Sequence, residues 1–149
     1  MVKFVNEMNT SFLSKSNNES FARVVVSAFI AQLDPTIDEL TDIKTAVSEA
    51  VTNSIVHGYK SEIGIIYINS RIYENGKILV KIRDKGCGIK DISQAMEPLF
   101  TTGGSERSGL GFAVMQSFMD KIKVNSKINK GTAVILEKYI IRRNICKND

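Results

Sequence analysis

Hydrophobic positions along this chain change their period several times, and each change marks an element. In residues 6–15, Met8, Thr10 and Phe12 stand on alternating positions, the period-two signature of an opening strand. Ser16 and Glu19 then carry the spacing of a capping box. Phe21, Val25, Ala28 and Phe29 recur behind them at helical intervals until Asp34-Pro35, where proline disfavours helix in the residue before it. Thr36 and Glu39 repeat the capping spacing, and Leu40, Ile43, Val47, Ala50, Val51 and Ser54 line one face of a second, longer helix that should stop at Gly58. Residues 63–74 are strongly β-forming, and Asn75-Gly76 separates them from a second such run at 78–83, which predicts an antiparallel hairpin. Residues 84–108 lose periodicity and are rich in glycine and hydroxyl side chains, so they read as a functional loop. A third helix is predicted over 109–121, then strands at 122–126 and 132–139 across a turn at 127–131.

This order of elements predicts an α+β fold, a two-layer sandwich of helices on one face of a mixed β-sheet. No internal repeat or linker interrupts it, so residues 1–149 read as one domain with a frayed basic tail at 141–149. Composition narrows the class further. With 43% hydrophobic and 24% charged residues, ten Gly and two Pro, the chain is neither disordered nor collagen-like. It has no apolar run of the roughly 18 residues that a membrane span needs, and no secretion signal at its start, so a cytoplasmic protein without a membrane partner is expected. Cys87, Cys146 and the single His57 supply neither a disulfide framework nor a zinc-ligand set. The net charge of +4 suits an anionic partner. Charges of both signs are nevertheless mixed everywhere except Arg142 to Lys147, and no aromatic-basic stripe is visible along the chain, so direct nucleic-acid binding is not expected.

Three short segments carry candidate chemistry. On the second helix Glu49, Asn53 and His57 fall at i, i+4 and i+8 and stack along one stripe, Glu49 and Asn53 roughly 110–150° around from the apolar face. They can border a cleft, or simply form a solvated helix edge. Asp84-Lys85-Gly86-Cys87-Gly88-Ile89 directly follows a predicted strand: a carboxylate acceptor there can take a hydrogen bond from the adenine amine, and two glycines let a ligand approach the backbone. A glycine turn capped by aspartate uses the same residues. Ser108-Gly109-Leu110-Gly111-Phe112 opens the third helix, where unpaired N–H groups suit a phosphate chain, although the Gly-Lys-Ser/Thr ending of a Walker A loop is missing. His57 reads as a helix end rather than a proton shuttle, Cys87 as a small filler, and Phe100, Phe112 and Phe118 as core.

Taken in this order, the three segments resemble the GHKL nucleotide-binding family, which includes gyrase-type ATPases, Hsp90-type chaperones, mismatch-repair ATPases, histidine kinases and small anti-sigma kinases. Narrower words are present in Asn18-Glu19-Ser20-Phe21-Ala22-Arg23, Ala31 to Thr36, Ser48 to Asn53, His57-Gly58-Tyr59, Pro98 to Thr102 and Glu106 to Gly109. Over residues 4–140 these are similar to the sporulation anti-sigma F family, and they leave no room for the dimerisation and phosphoacceptor helices of a histidine kinase. The resemblance implies a homodimeric serine kinase that holds the sporulation sigma factor F away from RNA polymerase and phosphorylates an anti-anti-sigma factor with ATP. By the same resemblance Glu49 would be the general base and Asn53 the ligand of Mg2+. Asp84, Gly86 and Gly88 would hold adenine, with Thr102 and Thr132 beside them. Ser108, Gly109, Leu110 and Gly111 would cradle the phosphates, Arg107 would meet the terminal phosphate, and Arg23 would bind a partner. Gly103-Gly104-Ser105-Glu106 departs from the longer Lys-Pro connection of such proteins and predicts a looser lid over ATP or ADP. A kinase serving a stress sigma factor, a nonenzymatic nucleotide-dependent sigma-binding module and a hydrolytic ATPase of the same family remain alternatives.

Overall fold

The computed structural model describes residues 2–60, 62–96 and 111–140. Its elements in chain order are β1 (Phe4–Leu13), α1 (Asn18–Ile30), α2 (Ile37–Asn53), β2 (Ile65–Tyr73), β3 (Lys77–Asp84), α3 (Ile92–Met96), α4 (Phe112–Phe118), β4 (Lys121–Lys127) and β5 (Gly131–Tyr139). Helix α2 starts where a local signal says it should. The Thr36 hydroxyl accepts from the Glu39 N–H while the Glu39 carboxylate accepts from the Thr36 N–H, so two orphan donors of the first turn are satisfied. The same spacing at Ser16 and Glu19 makes no such box: Asn17 is the N-cap and no side chain caps it. The Glu19 carboxylate is drawn instead to α2, where Ser48 and Thr52 donate to it along with Arg23 on its own helix.

Strands β2 and β3 alternate buried and mostly half-buried residues along their length, and the buried set, Ile66, Ile68 and Ile72 with Ile78, Val80 and Ile82, faces the helices. Ala22, Val26 and Ile30 of α1 and Ile43, Val47 and Val51 of α2 meet them from above, fully out of water, each large side chain contributing about 1.5–3 kcal/mol. Phe112 and Met115 close the core from α4 as anticipated for Phe112, Phe118 is half-buried, and Phe100 lies outside the described residues.

The two-layer α+β sandwich is the expected one, but its sheet is antiparallel at every neighbouring pair, in the order β1-β2-β3-β5-β4, where a mixed sheet was expected. The connection from β3 through α4 does bring β4 back parallel to β3. Strand β5 then inserts between them and removes the parallel contact. The other differences are local. The loop after β3 contains the short helix α3, whose first turn is capped by the Asp91 carboxylate accepting from the Gln94 N–H. Helix α4 is shorter than the 109–121 predicted, because Met119 is already extended and Asp120 donates to the Glu137 carbonyl at the start of the β4–β5 ladder.

The two capping signals lead to opposite expectations. Thr36→Ala should lower unfolding free energy by about 1 kcal/mol in urea titrations. Ser16→Ala, which removes no cap, should stay within roughly 0.5 kcal/mol of the parent. Equal losses would contradict the assignment of the caps.

Candidate functional site

The second helix changes its winding at the point where the candidate residues sit. After Asn53 the α-helix widens into one π turn, Ser54–Gly58, a deviation that appears frequently at functional sites. The turn places Ser54 against the end of β3. Its hydroxyl donates to Asp84 Oδ2 at 2.7 Å, while Asp84 Oδ1 accepts from the Gly86 N–H at 2.9 Å and the Thr132 N–H at 3.3 Å. Asp84 is only 4% exposed. A carboxylate offers roughly four acceptor positions, so three donors leave one for a ligand.

Asp84 shares a cavity with Asn53, His57, Gly88, Thr132 and Phe112, a space of about 20 Å³. That is room for one water, so a larger ligand enters only if the cleft opens. Asn53 is buried at 8% exposure, deeper than its helix-wheel position implied, because α4 and β5 cover that side of α2. A concavity of about 450 Å³ lies on the opposite face of the sheet, and another of about 460 Å³ borders Asp84 and Thr132 without reaching Asn53 or Phe112.

Glu49 lies one helical turn before Asn53 and is half-buried. Its carboxylate packs against Gly111, the residue that caps α4 with φ +64°. A Cβ at Gly111 would meet the Glu49 carboxylate, a flexible end that could shift, so it is the positive φ that requires glycine here. Burial, and then the negative charge of Glu19, raise the Glu49 pKa above the ordinary carboxylate value. Gly86 and Gly88 have a different reason from the one expected. Added Cβ atoms would strike the Gly58 backbone and the Lys127 carbonyl oxygen respectively, so close approach of protein backbone already requires glycine at both positions. Cys87 is half-buried between them and its thiol donates to the His57 carbonyl oxygen, consistent with a filler.

Three residues of this site were given no functional role from the sequence. Ser54 was read as part of an apolar face; Glu19 as a cap; Tyr59 only as part of a helix end. The Tyr59 hydroxyl accepts from the Lys85 N–H at 2.8 Å and donates to the Ile65 carbonyl, and the Gly58 carbonyl accepts from the Cys87 N–H at 2.9 Å, so the π turn holds the whole 84–88 segment. Arg23 is half-buried rather than freely exposed, bonded to Glu19 at 3.0 Å and Ser48 at 2.7 Å, one residue before Glu49. Thr102, Arg107, Ser108, Gly109 and Leu110 lie outside the described residues.

A helix carrying Glu49 and Asn53, a strand ending in Asp84 and a glycine before a further helix are here joined at one cleft between layers. The family model described as a histidine kinase-like ATPase domain matches residues 14–138. An anti-sigma F factor of Thermoanaerobacter sp. (strain X514) is 59% identical over 140 residues, 93% of this chain and 97% of the relative. The chain belongs to the anti-sigma F factor family of histidine kinase-like ATPase domains. Within that family, the anti-sigma F factor of Caldanaerobacter subterraneus subsp. tengcongensis is 58% identical across 95% of this chain and 99% of its own. Among solved structures the fold is shared with the RsbU and RsbW domains of a Mycobacterium tuberculosis protein, with a TM-score of 0.68 and 16% identity over 93% of this chain and 34% of that one. It is shared also with the catalytic domain of the histidine kinase ThkA, with a TM-score of 0.56 and 20% identity over 91% and 99% of the two chains. In this anti-sigma F factor family member no helix among the described residues is long and apolar enough to cross a membrane.

Two outcomes test this geometry without any ligand. Tyr59→Phe should accelerate hydrogen exchange at the Lys85 amide with a global loss of about 1 kcal/mol; unchanged protection at Lys85 would contradict the clamp. Because the folded-state pKa of Glu49 lies above its unfolded value, the stability it contributes is full at acid pH and is lost as pH rises through the folded pKa. Glu49→Gln should therefore stabilise the protein at neutral pH, with the gain fading on acidification, in thermal melts across that range.

Proposed function

We propose that this chain is an ATP-dependent serine kinase that also sequesters a sigma factor: it holds the sporulation sigma factor F and phosphorylates that factor's anti-anti-sigma antagonist. The observation that carries this reading is the buried Asp84 carboxylate, with one acceptor position left, in the same cleft as Asn53, which lies one helical turn from Glu49. The relatives named anti-sigma F factor, matched over nearly their whole length, supply the sigma partner. They favour factor F over a stress sigma factor.

In this reading the adenine amine donates to Asp84, a contact guanine cannot make because it presents an oxygen at that position. Gly88 and Thr132 flank the ring, and Gly86 keeps Asp84 in place through its N–H. Asn53 contributes one neutral, hard oxygen donor. That fits Mg2+, which takes one or two protein ligands and completes its shell with phosphate oxygens and water; bound there it would neutralise phosphate charge. Glu49 takes the proton of the acceptor serine as its oxygen bonds to the γ-phosphorus. The bond from that phosphorus to the β,γ-bridging oxygen breaks, and ADP leaves. The raised pKa brings Glu49 closer to neutrality, where a general base works best.

Gly111, with Ser108, Gly109 and Leu110 before it, supplies backbone N–H groups to the phosphates, and Arg107 meets the terminal phosphate as charge redistributes. Thr102 would stand beside the adenine with Thr132. Arg23 serves the partner surface, held in orientation by Glu19 and Ser48. Two copies form the working unit, in the cytoplasm.

Labelled γ-phosphate transfer to the anti-anti-sigma protein, with ATP binding measured alongside, tests the reading. The intact protein should phosphorylate serine, and Glu49→Gln should lose about 10²–10⁴-fold in rate while still binding ATP. Undiminished transfer in the variant would remove Glu49 from chemistry, and sigma and ATP binding without any transfer would make the chain a nonenzymatic binding module.

A further inference from the structure

Three polar side chains stand in one row across the sheet, on the face that carries the cleft. Register pairs Asp84 of β3 with Thr132 of β5, and Thr132 with Ser126 of β4. Asp84 and Thr132 line the small cavity beside Asn53, together with Ile89 of the loop after β3. Ser126 is half-buried behind Thr132 and Ile89 and meets both. Its hydroxyl accepts from the Ile89 N–H at 2.8 Å and lies 2.8 Å from the Thr132 hydroxyl, with the Gly131 carbonyl as a further acceptor at 3.0 Å. Asp84 Oδ1 meanwhile takes the Thr132 backbone N–H, so the Thr132 backbone is held and only its hydroxyl is left to be oriented.

A hydroxyl carries one hydrogen and two lone pairs, and that count limits what this group can do. One Ser126 lone pair is taken by Ile89, and the Ser126 hydrogen goes either to the Gly131 carbonyl or to the Thr132 oxygen. In the first case Thr132 gives its own hydrogen to Ser126 and offers the cavity only lone pairs. In the second Thr132 receives from Ser126, and its hydrogen is free for the cavity. Ser126 thus decides whether Thr132 faces a ligand as acceptor or as donor. The Thr132 contact is the shorter of the two and lies at the usual O–H···O distance, which favours the donor form. The edge of adenine calls for the same form. With the amine resting on Asp84, the neighbouring ring atom is N1, an acceptor.

We propose that Ser126 is a positioning residue for purine recognition: by donating to Thr132 it turns the Thr132 hydroxyl hydrogen toward N1 of an adenine whose amine rests on Asp84. Resting on the adenine reading of the cleft proposed above, this role adds a residue that itself touches no ligand. The Ile89 N–H, the Ser126 hydroxyl and the Thr132 hydroxyl then form a chain that runs one way, each bond polarising the next, and ends on the ring nitrogen. Asp84 and Thr132 together present an acceptor and a donor side by side, which matches the amine and N1 of adenine. Guanine offers an oxygen and an N1–H at the same two places and mismatches both. Because Ser126 also fastens the loop after β3 to β4 through Ile89, its contribution to recognition has to be read separately from its contribution to shape.

The test is calorimetric binding of ADP and of 1-deaza-ADP, which keeps the amine but has a C–H in place of N1, to the intact protein and its variants. The ratio of the two dissociation constants isolates the N1 contact, since a deformed loop or a smaller folded fraction weakens both nucleotides alike. The intact protein should favour ADP about tenfold, the worth of one hydrogen bond. Ser126→Ala should cut that preference to within about threefold, and Ser126→Cys, close in shape but a weak donor, should fall between the two. Thr132→Val should bring the ratio to about one, and adding Ser126→Ala to it should change the ratio no further, as expected of residues that act through one contact. A ratio that stays near tenfold in either Ser126 variant, even with both affinities lowered, would make Ser126 structural only. A ratio near one in the intact protein would show that N1 is not read. Either result overturns the proposal while ADP binding leaves the role of Asp84 standing, whereas an intact protein that binds no ADP overturns both.

Discussion

One buried carboxylate holds the two layers of this protein in register. Asp84 ends the third strand, and its two oxygens take hydrogen bonds from Ser54 on the helix layer, from Gly86 on its own loop and from Thr132 on the neighbouring strand. An ionised group this deep is costly unless it is bonded, so the surrounding backbone is constrained to supply donors. The π turn after Asn53 is the form that constraint takes on the helix. It turns Ser54 toward the sheet, lets the Gly58 carbonyl reach Cys87, and sends Tyr59 to clamp Lys85 and Ile65. The loop that follows Asp84 is thereby pinned at several points although it contains two glycines. The same carboxylate keeps one acceptor position for something other than protein. The nucleotide role proposed for Asp84 would thus rest on a different lone pair from its structural one.

The second constraint is the price of keeping Glu49 charged beside Gly111 and near Glu19. Its raised pKa means that the ionised form costs stability at neutral pH, the trade that the proposed catalytic role would explain. Glu19 takes part twice. It orders Arg23, Ser48 and Thr52 across the α1–α2 interface, and its charge makes Glu49 a stronger base. Arg23 is bonded to the same Glu19, so a change at Arg23 would alter the electrostatic surroundings of Glu49.

How much of this was legible in the chain depends on distance along it. The Thr36–Glu39 box, the Asn75-Gly76 hairpin and the long apolar face of α2 are local patterns, and the structure follows them. The Ser16–Glu19 box has the same local pattern and fails, because Ser48 and Thr52, far along the chain, compete for the Glu19 carboxylate. Asp84, Asn53 and Thr132 were legible as a site only through resemblance; it is the β3–β5 register, pairing Asp84 with Thr132, that brings them together physically. Gly86 and Gly88 were marked as site residues for ligand approach, whereas the backbone of Gly58 and Lys127 occupies the space their side chains would need. Ser54 and Tyr59 gave no signal, since a hydroxyl in an apolar stripe and an aromatic at a helix end are ordinary until the π turn re-aims them. Ser126 joins Asp84 and Thr132 in one row only after three strands are paired.

The central claim is that the free acceptor position on Asp84 reads adenine, and calorimetric binding of ADP and GDP to the intact protein and to Asp84→Asn tests it most directly. The account predicts that the intact protein binds ADP well and GDP at least about tenfold more weakly, and that the substitution abolishes this preference by lowering ADP affinity. Equal affinity of the intact protein for the two nucleotides, or a preference that survives the substitution in a folded variant, would contradict it.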